Sequence, residues 1–161
     1  MRTATIVLLG VAAVGSSLGA QTRPNFSGTW TIVPSRSVWS DAGRSVNITV
    51  FGEAFTANQT HDTLTIAIDN EKGFTWVYRL DGQVSHHSLP GPTGPQPTSS
   101  TAAWSGSELV ITIRGTADRD GKPQSVETSR TLKLNEDGTL RVEAPWGRSG
   151  AMIGSVYARS R

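Results

Sequence analysis

Apolar and polar residues alternate one by one along much of this chain, and that alternation most limits what the chain can fold into. In residues 63–68, Leu64, Ile66 and Ile68 occupy every second position. Successive side chains of a β-strand point to opposite faces, so this pattern is typical of a half-buried strand. No window sustains the apolar spacing of a helix, and the sequence therefore predicts an all-β protein. The same alternation occurs in residues 28–33, 45–51, 74–80, 109–114, 131–134 and 140–143.

Short turn sequences separate these segments and favour one architecture. Asp81-Gly82, Ser105-Gly106, Asp120-Gly121 and Asp137-Gly138 each lie between two alternating runs. Asp-Gly suits tight hairpins, because both central residues of such turns need positive φ. Consecutive hairpins build either an up-and-down barrel or a sandwich, and a barrel leaves no exposed strand edges. We expect an antiparallel up-and-down barrel of about 8–11 strands.

Only two links are expected to be long, residues 34–44 and 89–98. The second holds four of the eight prolines in the chain. Such a segment is either a lid over the barrel mouth, a polyproline docking peptide, or an extended surface loop.

The N-terminus has the pattern of an export signal. Arg2 precedes a nine-residue apolar run at 6–14, and small residues follow up to Ala20. The run is shorter than the roughly 20 apolar residues that span a bilayer. We therefore predict a signal peptide at 1–20, a mature domain at 21–161, and an exported (periplasmic or secreted) monomer with no membrane span. The chain has no cysteine, so the fold depends on its core alone.

Charge and histidine spacing exclude several classes of function. The net charge of +2 lacks the clear basic excess of a nucleic-acid binder. His61, His86 and His87 do not have the spacing of zinc ligands, so neither a metal nor a cofactor is predicted. No Gly-x-Ser-x-Gly motif is present. A barrel enzyme assembled from distant strands, using His86 and Glu53, stays open as the third alternative.

Residues 24–30, Pro-Asn-Phe-Ser-Gly-Thr-Trp, resemble the Gly-x-Trp opening of lipocalins and the wider calycin superfamily. They are most similar to small exported bacterial β-barrel proteins that begin with this string, and residues 62–66, 78–82, 103–109 and 135–140 fit the same pattern. The resemblance implies a lipocalin or fatty-acid-binding type of barrel. It also implies that Trp30 closes one end beneath an arginine of the last strand, either Arg159 or Arg161, a contact that contributes about 0.5–2 kcal/mol.

The alternation places one arginine inside the barrel, because Arg130 shares a face with Leu132 and Leu134. A buried guanidinium needs an anion or several acceptors. The resulting hypothesis is a carrier or sensor for a lipophilic or amphipathic anion, such as a fatty acid, whose head group lies near Arg130. The expected ligand-binding residues are Arg130, Tyr78, Gln59, Tyr157 and Trp76.

Two alternatives to this hypothesis stay open. Arg130 pairs with an internal acid, or a register shift of one residue turns it outward. In that case the protein is a filled-core structural or interaction protein that uses residues 89–98 or an outer face. An apolar void of about 300 Å³ or more would favour the carrier, and a packed interior would favour the second class.

Overall fold

The computed structural model describes residues 23–39, 50–68, 73–91, 94–119, 121–146 and 151–160. A short 3₁₀ turn, Pro34–Arg36, follows the first strand. The strands, numbered in chain order, are β1 (Gly28–Ile32), β2 (Val38–Trp39), β3 (Ala54–Gln59), β4 (Thr63–Ile68), β5 (Thr75–Arg79), β6 (Ser85–Gly91), β7 (Gly94–Ser105), β8 (Glu108–Arg119), β9 (Lys122–Leu134), β10 (Leu140–Trp146) and β11 (Ala151–Arg159).

The strands form one antiparallel sheet that curls into a nearly closed up-and-down barrel, which confirms the predicted fold class. The order across the sheet is β5-β4-β3-β1-β11-β10-β9-β8-β7-β6, and the short β2 pairs with β11. The first and last long strands are neighbours, with Trp30 opposite Arg159 and Ile32 opposite Tyr157. The two ends of the sheet, β5 and β6, are consecutive in the chain. We call the gap between them the seam; across it the Arg79 amide donates to Ser85 Oγ at 2.9 Å.

The alternation in sequence becomes alternation in burial. On β4, Leu64, Ile66 and Ile68 are buried, and on β5, Trp76 and Tyr78 are buried between exposed neighbours. The inward residues pack into one core, so the interior of the barrel is built mainly from large side chains. Its fully buried aromatic and aliphatic members are Phe26, Trp30, Phe51, Phe55, Leu64, Ile66, Leu109, Ile111, Leu132, Leu140 and Tyr157, with Tyr78 almost so.

Tight turns hold the long hairpins in register. Gly106 and Gly138 have φ of +61° and +79°, a conformation that side chains other than glycine rarely adopt. At the second turn, Asp137 Oδ1 accepts hydrogen bonds from the Thr139 amide and hydroxyl. The predicted hairpins at Ser105-Gly106 and Asp137-Gly138 are therefore present.

Three local predictions differ from the structure. Asp81-Gly82 does not join a hairpin of paired strands, because β5 and β6 are the two ends of the sheet. Val50 and Phe51, the end of the strand expected at 45–51, form a bend, and residues 45–49 lie outside the described residues. The proline-rich segment 89–98 is not a long loop, because its described residues belong to β6 and β7, with Pro90 opposite Pro95. Proline lacks an amide hydrogen and is tolerated at sheet edges. Here β6 is an edge strand, and β7 pairs with β8 only from Ser99 onward.

The predicted signal segment, 1–20, lies outside the described residues and stays a prediction. Within the described part of the chain, no helix has the length and apolar character needed to cross a membrane.

Candidate functional site

The candidate site is built around Arg130, which β9 directs into the barrel interior. Its guanidinium carbon lies 5.0 Å from the ring centroid of Phe51 and 5.0 Å from that of Trp76. Its Nη1 donates to the Tyr78 hydroxyl at 3.4 Å, at the long limit of a hydrogen bond. The guanidinium is therefore held by two aromatic rings and only weakly by a hydrogen bond.

The site straddles the seam of the barrel. Trp76 and Tyr78 stand on β5, His87 stands on β6, and their two sides meet where the rings of Tyr78 and His87 lie 5.2 Å apart. Because β5 and β6 are not paired as strands, side chains rather than backbone hydrogen bonds close this part of the wall. We call the set that lines the small cavity here the Arg130 site: Trp76, Tyr78, His87, Thr98, Ile113 and Arg130, with Phe51 covering the guanidinium.

The cavity in the Arg130 site has a volume of about 10 Å³. That volume is about one water molecule. It is far below the roughly 300 Å³ expected of a pocket that encloses a drug-sized ligand. Phe51, Phe55 and Tyr157 fill adjoining space, with edge-to-face ring contacts at 5.1 and 4.9 Å. The described interior at this site is therefore packed, and it leaves room for about one water-sized group but not for an acyl chain.

Two hydroxyl groups line the cavity, and they differ in what they bind. Burial raises the pKa of the Tyr78 hydroxyl above its usual 10.0, although the Arg130 charge and its hydrogen bond act in the opposite direction. Tyr78 therefore stays protonated at neutral pH and can accept from Arg130 while donating elsewhere. Thr98 Oγ1 is inaccessible to solvent and has no hydrogen-bond partner.

His87 borders the same cavity and is held by a serine. Its Nε2 lies 2.7 Å from Ser100 Oγ, and Ser100 is almost fully buried. Partial burial lowers the pKa of His87 below its usual 6.5, and the charges of His86 and Arg130 lower it further. His87 is therefore largely neutral at neutral pH, and the positive charge of the site belongs to Arg130.

No carboxylate of the described residues lies within ion-pairing distance of Arg130. Six ion pairs are formed by other side chains, for example Arg114–Glu127 at 2.7 Å on the neighbouring strands. A groove of about 300 Å³ on the outer face of β8–β10 also contains cations, but there Lys133 pairs with Glu108 and Arg141 with Glu143. Arg130 thus differs from these cations in having aromatic faces instead of a counter-ion.

Only part of the predicted ligand-binding set comes together. Arg130, Tyr78 and Trp76 form one cluster, whereas Gln59 and Tyr157 are engaged elsewhere. Gln59 Oε1 accepts from the Phe26 amide at 2.9 Å, and its Nε2 donates to the Pro24 carbonyl at 3.1 Å. The Tyr157 hydroxyl donates to the Gly52 carbonyl at 3.2 Å and accepts from the Phe51 amide at 3.2 Å.

These two side chains form hydrogen bonds to the backbone of irregular segments. Gln59 fastens the segment that precedes β1, and Tyr157 fastens the bend at Phe51 and Gly52. Buried backbone groups outside regular strands need such partners. Tyr157 still contributes indirectly, because it positions the bend that places Phe51 against Arg130.

At the Trp30 end, which we define by Phe26, Trp30, Gln59, Trp104 and Arg159, the predicted pair is in contact. The guanidinium carbon of Arg159 lies 4.8 Å from the Trp30 ring, and Trp30 is fully buried. Trp30 Nε1 donates to the Phe26 carbonyl at 2.9 Å, and Phe26 stacks on Trp104 at 5.8 Å. Arg161 lies outside the described residues. Packed side chains fill this end of the barrel.

Sequence reasoning missed four residues of the Arg130 site: Phe51, His87, Thr98 and Ile113. Ile113 lies on the apolar face of the predicted strand 109–114. Phe51 ends the predicted strand at 45–51, and the alternation there does not predict which way its side chain points. In the structure, a backbone bend directs Phe51 inward. Thr98 was placed in a proline-rich loop, although its register opposite His87 puts both side chains on one face. For His87, the alternation with buried Ser85 was an available signal.

The geometry does not favour hydrolytic chemistry. The distance between His87 and Ser100 is that of a nucleophile and its base, but Ser100 is only 2% exposed. His86 and Glu53 are both exposed. In the part of the chain that the structure describes, no group of three or more potential metal ligands is present.

The arrangement therefore defines a class of site: a single interior cation, framed by aromatic rings and hydroxyl groups, in an up-and-down β-barrel. Models of known protein families do not match this chain. A search of curated proteins likewise gave no match.

Proposed function

We propose that this protein is a binding barrel for a small amphipathic anion, whose anionic group is held by Arg130. The observation that supports this most is the environment of Arg130: an interior guanidinium between Phe51 and Trp76, with no carboxylate partner among the described residues. Arg130 is partly buried. Partial loss of hydration without a counter-ion is unfavourable for a cation, and a bound anion reduces that cost.

The rings determine which anion fits. The two rings take no hydrogen bond from the guanidinium, and among the described residues its N–H groups donate only to Tyr78, so N–H groups are left for a carboxylate, which accepts two parallel hydrogen bonds from arginine. Tyr78 adds a hydroxyl donor beside these N–H groups. A carboxylate joined to a short apolar group matches both the cation and the aromatic walls.

The packed interior limits how much of the ligand is enclosed. Because the cavity is about 10 Å³, we propose that the carboxylate oxygens reach the Arg130 site with a small displacement of its lining side chains, and that the apolar part stays outside the core. This distinguishes the proposal from a carrier that encloses a complete fatty acid.

Isothermal titration calorimetry with acetate, butyrate and octanoate tests the proposal, with octanol and octylamine as neutral and cationic controls. The three carboxylates are expected to bind with similar affinity, because the apolar chain stays outside the core, and the two controls are expected not to bind. Arg130→Gln is expected to weaken octanoate binding about tenfold or more, which is the loss of a charge-assisted hydrogen bond. The matched control is Arg114→Gln on β8, since that arginine is exposed and already paired with Glu127. Equal binding of octanol and octanoate would contradict the proposal.

The packed interior at the Arg130 site favours a second candidate function, a structural or interaction protein with a filled core, because a carrier is expected to hold a void of about 300 Å³ or more. A further observation on β9 supports it. Lys122, Pro123, Gln124 and Ser125, at the start of β9, are all exposed, so neither face of this part of the strand is covered. A strand segment with both faces uncovered is available to pair with another protein, and this favours an interaction protein. Native mass spectrometry of protein isolated from its own host separates the two functions, because a small-molecule adduct supports the first and a bound protein supports the second.

We also propose that the protein is exported and lipocalin-like. The support is the signal pattern in residues 1–20 and the contact of Arg159 with Trp30. N-terminal sequencing of the mature protein is expected to begin at Gln21, and an intact Met1 would contradict export by cleavage.

A further inference from the structure

Thr98 has the one hydroxyl of the cavity lining that is without a hydrogen bond. Its Oγ1 is inaccessible to solvent and unpartnered, whereas the other lining hydroxyl, that of Tyr78, accepts from Arg130. Buried polar groups are normally satisfied, and an exception calls for a water, an ion or a ligand. Thr98 and the unneutralised Arg130 are lining residues of the same cavity.

The position of Thr98 is fixed by a glycine on the neighbouring strand. A Cβ at Gly115 would lie 2.9 Å from Cγ2 of Thr98, closer than such atoms approach. The threonine methyl group therefore occupies space that only glycine leaves free. This contact holds the side chain in one orientation and commits its methyl group to β8.

We propose that Thr98 is the second anchor of the bound anion and determines its shape: one ligand oxygen accepts from Arg130, and a second accepts from the Thr98 hydroxyl. This inference rests on the proposed anion-binding function. It narrows the ligand to an anion with at least two oxygen acceptors, a carboxylate in preference to a monoatomic anion such as iodide.

The test compares two threonines of β7. Thr98→Val keeps the shape of the side chain and removes the hydroxyl, and Thr101→Val makes the same change on the other face of the strand. For Thr98→Val, we expect octanoate affinity to fall about tenfold, which is typical of a lost hydrogen bond to a charged group. Iodide affinity is expected to change less than twofold, and the thermal midpoint of the free protein is expected to be equal or higher. Thr101→Val is expected to leave both affinities unchanged.

Two further variants keep the test decisive if Thr98→Val folds poorly. Thr98→Ser retains the hydroxyl and is expected to retain octanoate binding within about threefold. Gly115→Ala retains Thr98 but displaces it, and is expected to weaken octanoate binding more than iodide binding.

The outcomes separate this inference from the function on which it rests. Wild-type affinity for octanoate in Thr98→Val overturns the role of Thr98 and leaves anion binding at Arg130 intact. A lower thermal midpoint with unchanged affinity also overturns it, and assigns the hydroxyl to a structural water. Failure of the wild-type protein to bind any carboxylate overturns both.

Discussion

The barrel uses an arginine against aromatic rings in two places, and the two places differ in how completely the arginine is satisfied. At the Trp30 end, Arg159 lies over Trp30 and is exposed, so water solvates its guanidinium, and the indole nitrogen donates to Phe26. At the Arg130 site, the guanidinium is partly buried between two rings with one long hydrogen bond, and the hydroxyl of Thr98 has no partner.

The difference indicates two roles for the same pair of residue types. A satisfied cluster of this kind stabilises the fold, whereas an unsatisfied one has capacity for a ligand. One atom departs from this division, because Trp104 Nε1 at the Trp30 end is also buried without a partner. It is a neutral donor, and the cation beside it, Arg23 at 5.5 Å from the ring, is exposed at the surface.

The largest expected effect is on stability at the Trp30 end. Trp30→Ala is expected to lower the free energy of unfolding by about 3–5 kcal/mol, the usual cost of removing a large aromatic side chain from a core. Chemical denaturation monitored by circular dichroism measures it. A decrease of less than about 1 kcal/mol in the unfolding free energy would show that packing at the Trp30 end does not stabilise the barrel.

Replacing each of the two arginines by leucine in turn tests the comparison directly. Arg130→Leu is expected to reduce anion binding about tenfold or more and to change the unfolding free energy by less than about 1 kcal/mol. Arg159→Leu is expected to lower the unfolding free energy by about 0.5–2 kcal/mol and to leave anion binding unchanged. Displacement of a fluorescent fatty acid and thermal denaturation supply the two measurements. If Arg130→Leu lowered the unfolding free energy and Arg159→Leu weakened anion binding, the division of roles would be refuted.

A Gln59 variant tests the comparison further, because both polar atoms of its side-chain amide are hydrogen-bonded at the Trp30 end. Gln59→Leu removes two hydrogen bonds to the backbone of residues 24–26 and leaves the Phe26 amide unpaired. We expect a loss of about 1–3 kcal/mol in unfolding free energy with unchanged anion binding. Asn58→Leu on the exposed face of the same strand is the matched control. A binding defect in Gln59→Leu would return this residue to the ligand site.

The smallest expected effect is the pH dependence contributed by His87. Its pKa is lowered in the folded protein, so protonation favours the unfolded chain. The stability that neutral His87 contributes is complete above pH 6.5 and is lost as pH falls from 6.5 through the lower pKa of the folded state. His87→Gln is expected to flatten the dependence of the unfolding free energy on pH across this range. A profile identical to wild type in His87→Gln would place the pH dependence elsewhere.

The apolar–polar alternation and the turn sequences predict the fold, but they predict only part of the Arg130 site. Strict alternation assigned Trp76, Tyr78 and Arg130 to the inner face, because period two is a property of the strand itself. The roles of Gln59 and Tyr157 depend on backbone segments that are distant in sequence, 33 residues away for Phe26 and 105 for Gly52. Such partners leave no periodic signal.

The proline-rich hairpin was missed for a different reason. Proline content predicts a loop only where both edges of a strand must donate hydrogen bonds. The described part of this segment lies where the sheet ends, so its prolines are tolerated and Thr98 enters the site. Composition carries no information on strand order, and the seam was therefore not predictable.

A crystal structure of the protein with octanoate tests the central claim most directly. The account predicts carboxylate oxygens about 3 Å from both the Arg130 guanidinium and the Thr98 hydroxyl, with the apolar tail outside the packed core. Octanoate bound only on the outer face, for example beside Lys133 and Arg141, would contradict it, as would an unoccupied Arg130 at saturating ligand.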